Sequence, residues 1–190
     1  MHNIYLPNFY YFVKSLDIKN ILHLDHKVAI IYRNYDCNHD IEDLIKFKNY
    51  CKKTKRKFLI ANKIALAFKL KLDGVYLPSF NKKMILKKYI NFKKFILVGS
   101  AHNLKEIRIK EKQQVMQIFL SPIFKDTTRN KCLGINNFNN LCKYTKKPII
   151  ALGGINKNKL KLLKQVKAKG FAAINFFKKY ESINYNSQWK

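Results

Sequence analysis

Short apolar runs alternate along this chain with longer stretches that mix apolar residues and lysines. The runs Phe9–Val13, Val28–Tyr32, Phe58–Ala61, Gly74–Leu77, Phe95–Val98, Met116–Leu120, Pro148–Leu152 and Ala172–Asn175 are rich in β-branched and aromatic side chains and read as strands. Between them lie Asp17–Asp25, Asp40–Lys53, Lys63–Lys71, Lys82–Tyr89, Asn103–Lys110, Asn136–Tyr144 and Asn156–Lys167. Several of these repeat apolar residues at three and four, as Ile41, Leu44 and Ile45 do, or Leu160, Leu163 and Val166, which predicts helices with one buried face. Strands alternating with helices argue for a parallel sheet joined by crossover helices. Eight such units close into a barrel, whereas five or six would favour an open doubly wound sheet. The expected fold is therefore α/β, a single compact (β/α)8 TIM barrel over residues 1–177 with a C-terminal tail over 178–190. No linker rich in Gly, Pro or Ser divides the chain.

Composition agrees with one core. At 190 residues, 47% hydrophobic and 14% aromatic, the chain can bury a domain interior, which excludes global disorder. No uncharged apolar stretch is long enough to cross a bilayer, so no membrane role is expected. The opening residues lack a basic n-region and a cleavage site, and a cytoplasmic location is expected. Cys37, Cys51, Cys132 and Cys142 form no CxxC pair and have no His at zinc spacing, which predicts reduced thiols.

A formal charge of +28 would attract polyanions. Yet only Arg33, Arg56, Arg108 and Arg129 among the 39 basic residues are arginines, and the lysines are spread along the whole chain. That scatter, beside abundant Asn, Ile, Phe and Tyr, fits codon drift toward A and T. A dedicated nucleic-acid binder would cluster its charge and use Arg for two-pronged contacts. A basic nucleic-acid-binding protein therefore stands as an alternative reading and not the first; small-molecule phosphates are the expected partners. The sequence leaves the oligomeric state open.

In a barrel of this kind the chemistry sits on the loops after the C-terminal ends of the strands. Those loops are Arg33–Tyr35, Asn62–Lys63, Pro78–Asn81, Ser100–His102, Pro122–Arg129, Gly153–Gly154 and Asn175. Gly153 and Gly154 follow the seventh strand, where bare backbone N–H groups can approach an anion. Thr127, Thr128 and Arg129 follow the sixth and offer two hydroxyls and a guanidinium fork suited to phosphate oxygens. Ser100 and His102 end the fifth strand; with no acid partner in reach they do not make a hydrolase triad.

Taken in order, Arg33, Asn62, Ser100-Ala-His102, Pro122-Ile-Phe124 with Thr128-Arg129, Gly153-Gly-Ile155 and Gly170-Phe-Ala-Ala-Ile-Asn175 resemble the pattern of the thiamine phosphate synthase/TenI family, from about Val28 to Phe177. The resemblance implies a (β/α)8 barrel that joins hydroxymethylpyrimidine pyrophosphate to thiazole phosphate and releases pyrophosphate with Mg²⁺ assistance. It implies that Arg33, Asn62, Ser100 and Arg129 contact the pyrimidine pyrophosphate. It also implies that Thr127, Thr128, Gly154, Ile174 and Asn175 hold the thiazole phosphate. Arg129 stands where the family has Lys, Asn175 where it usually has Ser, and Asp126 where it usually has Thr.

The departures gather at the metal. The family follows its Asn with a Mg²⁺-binding Asp, where this chain has Lys63. A second metal Asp belongs after Gly74-Val-Tyr-Leu77, where this chain reads Pro78-Ser-Phe-Asn81, and the family's basic residue two after Arg33 is Tyr35. Mg²⁺ takes hard oxygen ligands and usually one or two carboxylates, so Mg²⁺ is possible here but its expected ligands are absent. Exchanging Asp for Lys moves the local charge by about two units toward repelling the ion. The leading expectation is a transferase of this type with a divergent metal site, in which Arg129, Lys63 and Arg33 stabilise the leaving charge. The alternative within the family is a non-catalytic or tautomerase-like paralogue that binds a phosphorylated thiazole; Pro122 stands where the tautomerase branch places a His, while His102 offers a different base.

Overall fold

The computed structural model describes residues 6–35, 40–90, 92, 94–125 and 131–179. Eight strands appear in chain order: β1 (Phe9–Val13), β2 (Val28–Tyr32), β3 (Phe58–Ala61), β4 (Gly74–Leu77), β5 (Ile96–Ala101), β6 (Gln117–Leu120), β7 (Ile149–Leu152) and β8 (Gly170–Ala173). Each pairs in parallel with the next, and β8 returns to β1 through Phe9↔Phe171, Tyr10↔Ala172 and Tyr11↔Ala173, closing the barrel. Helices α1 (Ile41–Lys53), α2 (Ile64–Lys69), α3 (Lys87–Ile90), α4 (Leu104–Lys112), α5 (Gly134–Cys142), α6 (Leu160–Leu163) and α7 (Asn175–Lys179) follow strands two to eight. This is the (β/α)8 barrel expected from the alternation. No helix among the described residues is long and apolar enough to cross a membrane.

β5 and β8 depart most from the sequence expectation, and each carries a glycine within the strand. β8 begins at Gly170 rather than Ala172, since a Cβ there would collide with the backbone of Asn8; only glycine lets the chain come that close. Asn175 then opens α7 instead of ending the strand. β5 runs on through Gly99 and Ser100, which pair with Ile118 and Phe119 of β6. The predicted helix Asp17–Asp25 shrinks to a 3-10 turn over Ile18–Ile21. There the buried Arg56 guanidinium donates to the carbonyls of Ile21 (3.2 Å) and Leu24 (2.6 Å), binding oxygens a longer helix would use itself. Of the predicted tail, residues 180–190 lie outside the described residues.

The side chains sort by strand alternation into two shells. Inward-facing Tyr10, Phe12, Tyr76, Phe119 and Ile150 fill the barrel, with the Phe119 ring 4.8 Å from Tyr10, 5.6 Å from Tyr76 and 6.1 Å from Phe12. The Tyr10 hydroxyl donates to Gln117 Oε1, and Gln117 Nε2 donates to the Pro7 carbonyl at 3.0 Å, so the N-terminal end is plugged by a satisfied polar pair. Outward-facing residues meet the helices, among them Leu44, Phe47 and Cys51 of α1, Ile107 of α4, Phe138 of α5 and Leu163 of α6. α1 starts where Asp40 accepts from the backbone N–H groups of Glu42 (2.8 Å) and Asp43 (3.3 Å), and it ends on Lys52 and Lys53, both matching its dipole.

Phe119→Ala should cost about 3–5 kcal/mol in urea unfolding, because the closed wall cannot collapse onto the void. Burial pushes the Cys51 thiol up to about 12, so it is a neutral thiol at neutral pH. Alkylation mapped by mass spectrometry at pH 8 should leave Cys51 unmodified in the native protein and modify it once denaturant is added.

Candidate functional site

With the N-terminal end plugged, the functional groups gather at the opposite mouth. Arg33 continues β2: its N–H donates to the Val13 carbonyl at 2.8 Å, and its guanidinium lies over the ring of inward-facing Phe12, 5.3 Å from the centroid. The cation therefore caps the aromatic filling of the barrel. Ser100 is buried at the inward position that follows Ile96 and Val98. His102 is half-buried, with Nδ1 2.7 Å from the Ser121 carbonyl and 3.2 Å from Ser121 Oγ. A carbonyl only accepts, so Nδ1 carries a proton, and in the neutral ring the lone pair lies on Nε2. The Glu106 carboxylate steadies this turn by accepting from the His102 backbone N–H at 2.7 Å.

Asn62, just past β3, adopts φ +59°, a left-handed conformation that Asn tolerates better than most residues. Its N–H donates to the Tyr76 carbonyl at 2.8 Å, and its Oδ1 accepts from Asn81 Nδ2 at 2.6 Å. Lys63 follows, exposed at the start of α2. Across the mouth, Gly153 and Gly154 have φ of +96° and +66°. Side chains there would strike the next loop: a Cβ on Gly153 would lie 2.7 Å from Pro122 Cβ, and one on Gly154 would collide with the carbonyls of Phe124 and Lys125. Backbone bonds from Ile123 to Leu152 (2.9 Å) and from Phe124 to Gly153 (3.2 Å) join the two loops, and Lys159 Nζ donates to the Lys125 carbonyl at 2.9 Å. Ile174 is half-buried against the inner cluster, and Asn175 is exposed at the start of α7. Thr127, Thr128 and Arg129 lie outside the described residues. The glycine pair thus rests on Pro122–Lys125, which leads directly into them.

Sequence reasoning missed the buried polar group that holds the Pro78–Asn81 loop. Lys110 of α4 is fully buried, and its Nζ donates to the carbonyls of Pro78 and Asn81, both at 2.8 Å, and to Gln113 Oε1 at 2.9 Å. Burial pulls this amine down to about 8, opposed by the Glu106 carboxylate, and three acceptors keep it an ammonium at neutral pH. A signal existed: Lys110 stands three residues after the core residue Ile107, on the buried stripe of α4.

The model of the thiamine monophosphate synthase family matches residues 18–177. The chain belongs to that family. Thiamine-phosphate synthases from two strains of Prochlorococcus marinus are 31% identical over 166 residues and 28% identical over 154 residues, covering 83% and 78% of this chain. The chain spans 47% and 44% of those two relatives, about half their length. Among solved structures, thiamine phosphate pyrophosphorylase from Pyrococcus furiosus superposes with a TM-score of 0.73 at 15% identity, covering 96% of this chain and 93% of that one. That likeness shows the shared barrel.

The resemblance implies a Mg²⁺ beside Asn62, and among the described residues the donor set there suits it poorly. Asn62 Oδ1 is already engaged by Asn81, and the next side chain is an ammonium. Amides and a lysine replace the carboxylates that Mg²⁺ takes.

Gly154→Ala should lower stability by about 1–3 kcal/mol in urea unfolding, because both its φ and its contact with the Phe124 carbonyl oppose a side chain. Equal midpoints for wild type and variant would show that the glycine loop does not bear on its neighbour.

Proposed function

We propose that this chain is a thiamine phosphate synthase-like transferase that joins hydroxymethylpyrimidine pyrophosphate to thiazole phosphate with a divergent, cation-lined site. Its family membership supports the reaction class. The observation that carries the reading is the bare Gly153–Gly154 backbone lying against Pro122–Lys125, the segment that leads into Thr127, Thr128 and Arg129. In this reading the backbone near Gly154, with Thr127, Thr128, Ile174 and Asn175, takes the thiazole phosphate. Arg33, Asn62, Lys63, Ser100 and Arg129 take the pyrophosphate.

The reaction breaks the C–O bond to pyrophosphate, whose oxygen leaves with the bonding pair. The resulting pyrimidine methyl cation is then attacked by the lone pair of the thiazole nitrogen, forming the C–N bond. Charge accumulates on the departing oxygens, and Arg33, Lys63 and Arg129 stabilise it. Arg33 is suited to this because its guanidinium is already ordered over Phe12 and partly removed from water. Lys63 supplies positive charge where the family's sequence pattern places a carboxylate and its metal.

Incubation of the pure protein with both substrates should give thiamine phosphate and pyrophosphate, with turnover in a chelator within a few-fold of that in Mg²⁺. Lys63→Ala should lower kcat by about tenfold to a hundredfold. Absence of thiamine phosphate both with and without Mg²⁺ refutes the transferase. Calorimetric binding of thiazole phosphate in that case selects the non-catalytic paralogue, a reading favoured by the same amide-for-carboxylate exchange at Asn81.

A further inference from the structure

The Lys110 cluster has a direction that its burial alone does not explain. Its stem lies on the outer face of β5 at Gly99, where a Cβ would come within 2.8 Å of Lys110 Cδ, so the missing side chain makes room for it. Beyond that gap the ammonium meets three acceptors, two of them backbone carbonyls of the loop between β4 and α3. Gln113 binds the same loop, with Nε2 donating to the carbonyls of Lys83 (2.7 Å) and Asn81 (3.1 Å). A buried ammonium is costly, and an apolar side chain would stabilise a helix face more simply. What the charge accomplishes is to gather the carbonyls of one loop around a point, as a bound cation does.

The orientation of the next two amides follows. The Lys83 N–H donates to Asn81 Oδ1 at 2.9 Å, which makes Asn81 Nδ2 the donor to Asn62 Oδ1 at 2.6 Å. With its oxygen engaged, Asn62 turns its own Nδ2, with two N–H groups, away from Asn81. That end suits an anion.

We propose that Lys110 is the resident cation of this site: a positioning residue that holds the loop between β4 and α3, and through Asn81 presents the Asn62 amide as an anion donor. The identity of the anion as a pyrophosphate group rests on the transferase reading; the positioning role does not. The placement also accounts for how the loop keeps its shape where amides and Lys63 stand in place of metal-binding carboxylates.

The test uses the full chain and the variants Lys110→Met and Asn81→Ala. In Lys110→Met, hydrogen exchange of the amides of residues 79–83 should rise about tenfold, the loss of bonds to a charged donor, with residues 150–155 unchanged. Inorganic pyrophosphate, titrated calorimetrically, should bind about tenfold more weakly to both variants. KM for the pyrimidine pyrophosphate should rise while KM for thiazole phosphate stays within about twofold, a split that general loosening of the fold would not give. Unchanged exchange in residues 79–83 overturns the positioning role. Faster exchange with unchanged pyrophosphate affinity overturns the link to Asn62. Should Lys110→Met fail to fold, Asn81→Ala decides, and wild-type pyrophosphate affinity in that variant overturns the proposal. Should the wild-type protein bind no pyrophosphate, the transferase reading falls, and the exchange rates still judge Lys110.

Discussion

Closure of the sheet on itself is the constraint from which the rest follows. β8 reaches β1 only because Gly170 brings no side chain against the backbone of Asn8. Once the ring is shut, every second side chain is committed to the interior, and the space must be filled. Phe12, Tyr76 and Phe119 fill it, and the Tyr10–Gln117 pair plugs the N-terminal end. Polar groups that leave the strands at the other end are thereby forced to converge. The position of Arg33 over Phe12 shows the coupling directly, since the core of the barrel is also the floor of the mouth.

Much of this was legible in the sequence, and the errors have a common cause. The alternation of apolar runs with amphipathic stretches located all eight strands. It misplaced the limits of β5 and β8, where Gly99 and Gly170 lie inside strands although glycine usually punctuates them. Local patterns report local preference, whereas both glycines answer to contacts with distant segments, Lys110 in one case and Asn8 in the other. The predicted helix near Ile21 failed for the same reason: Arg56, far along the chain, takes its carbonyls.

The site divides in the same way. Residues on strand ends, such as Arg33, Ser100, Gly153 and Gly154, could be placed by counting strands and were found at the mouth. Lys110 and Gln113 could not, because one helix lysine among 39 basic residues stands out only when the buried stripe of α4 is traced on from Ile107. Its meaning comes from burial, and burial is set by the packing of α4 on β5. The large formal charge thus hid the one lysine that, among the described residues, is fully buried.

Gly99 has a broader consequence. At this position a side chain of the outer layer lies directly on the strand and reaches the loop at the rim, so the two are mechanically joined. If Lys110 positions Asn62 as proposed, substitutions on a helix remote from any ligand retune recognition without touching a residue that meets it, giving drift an entry into specificity that a side chain in place of Gly99 would close.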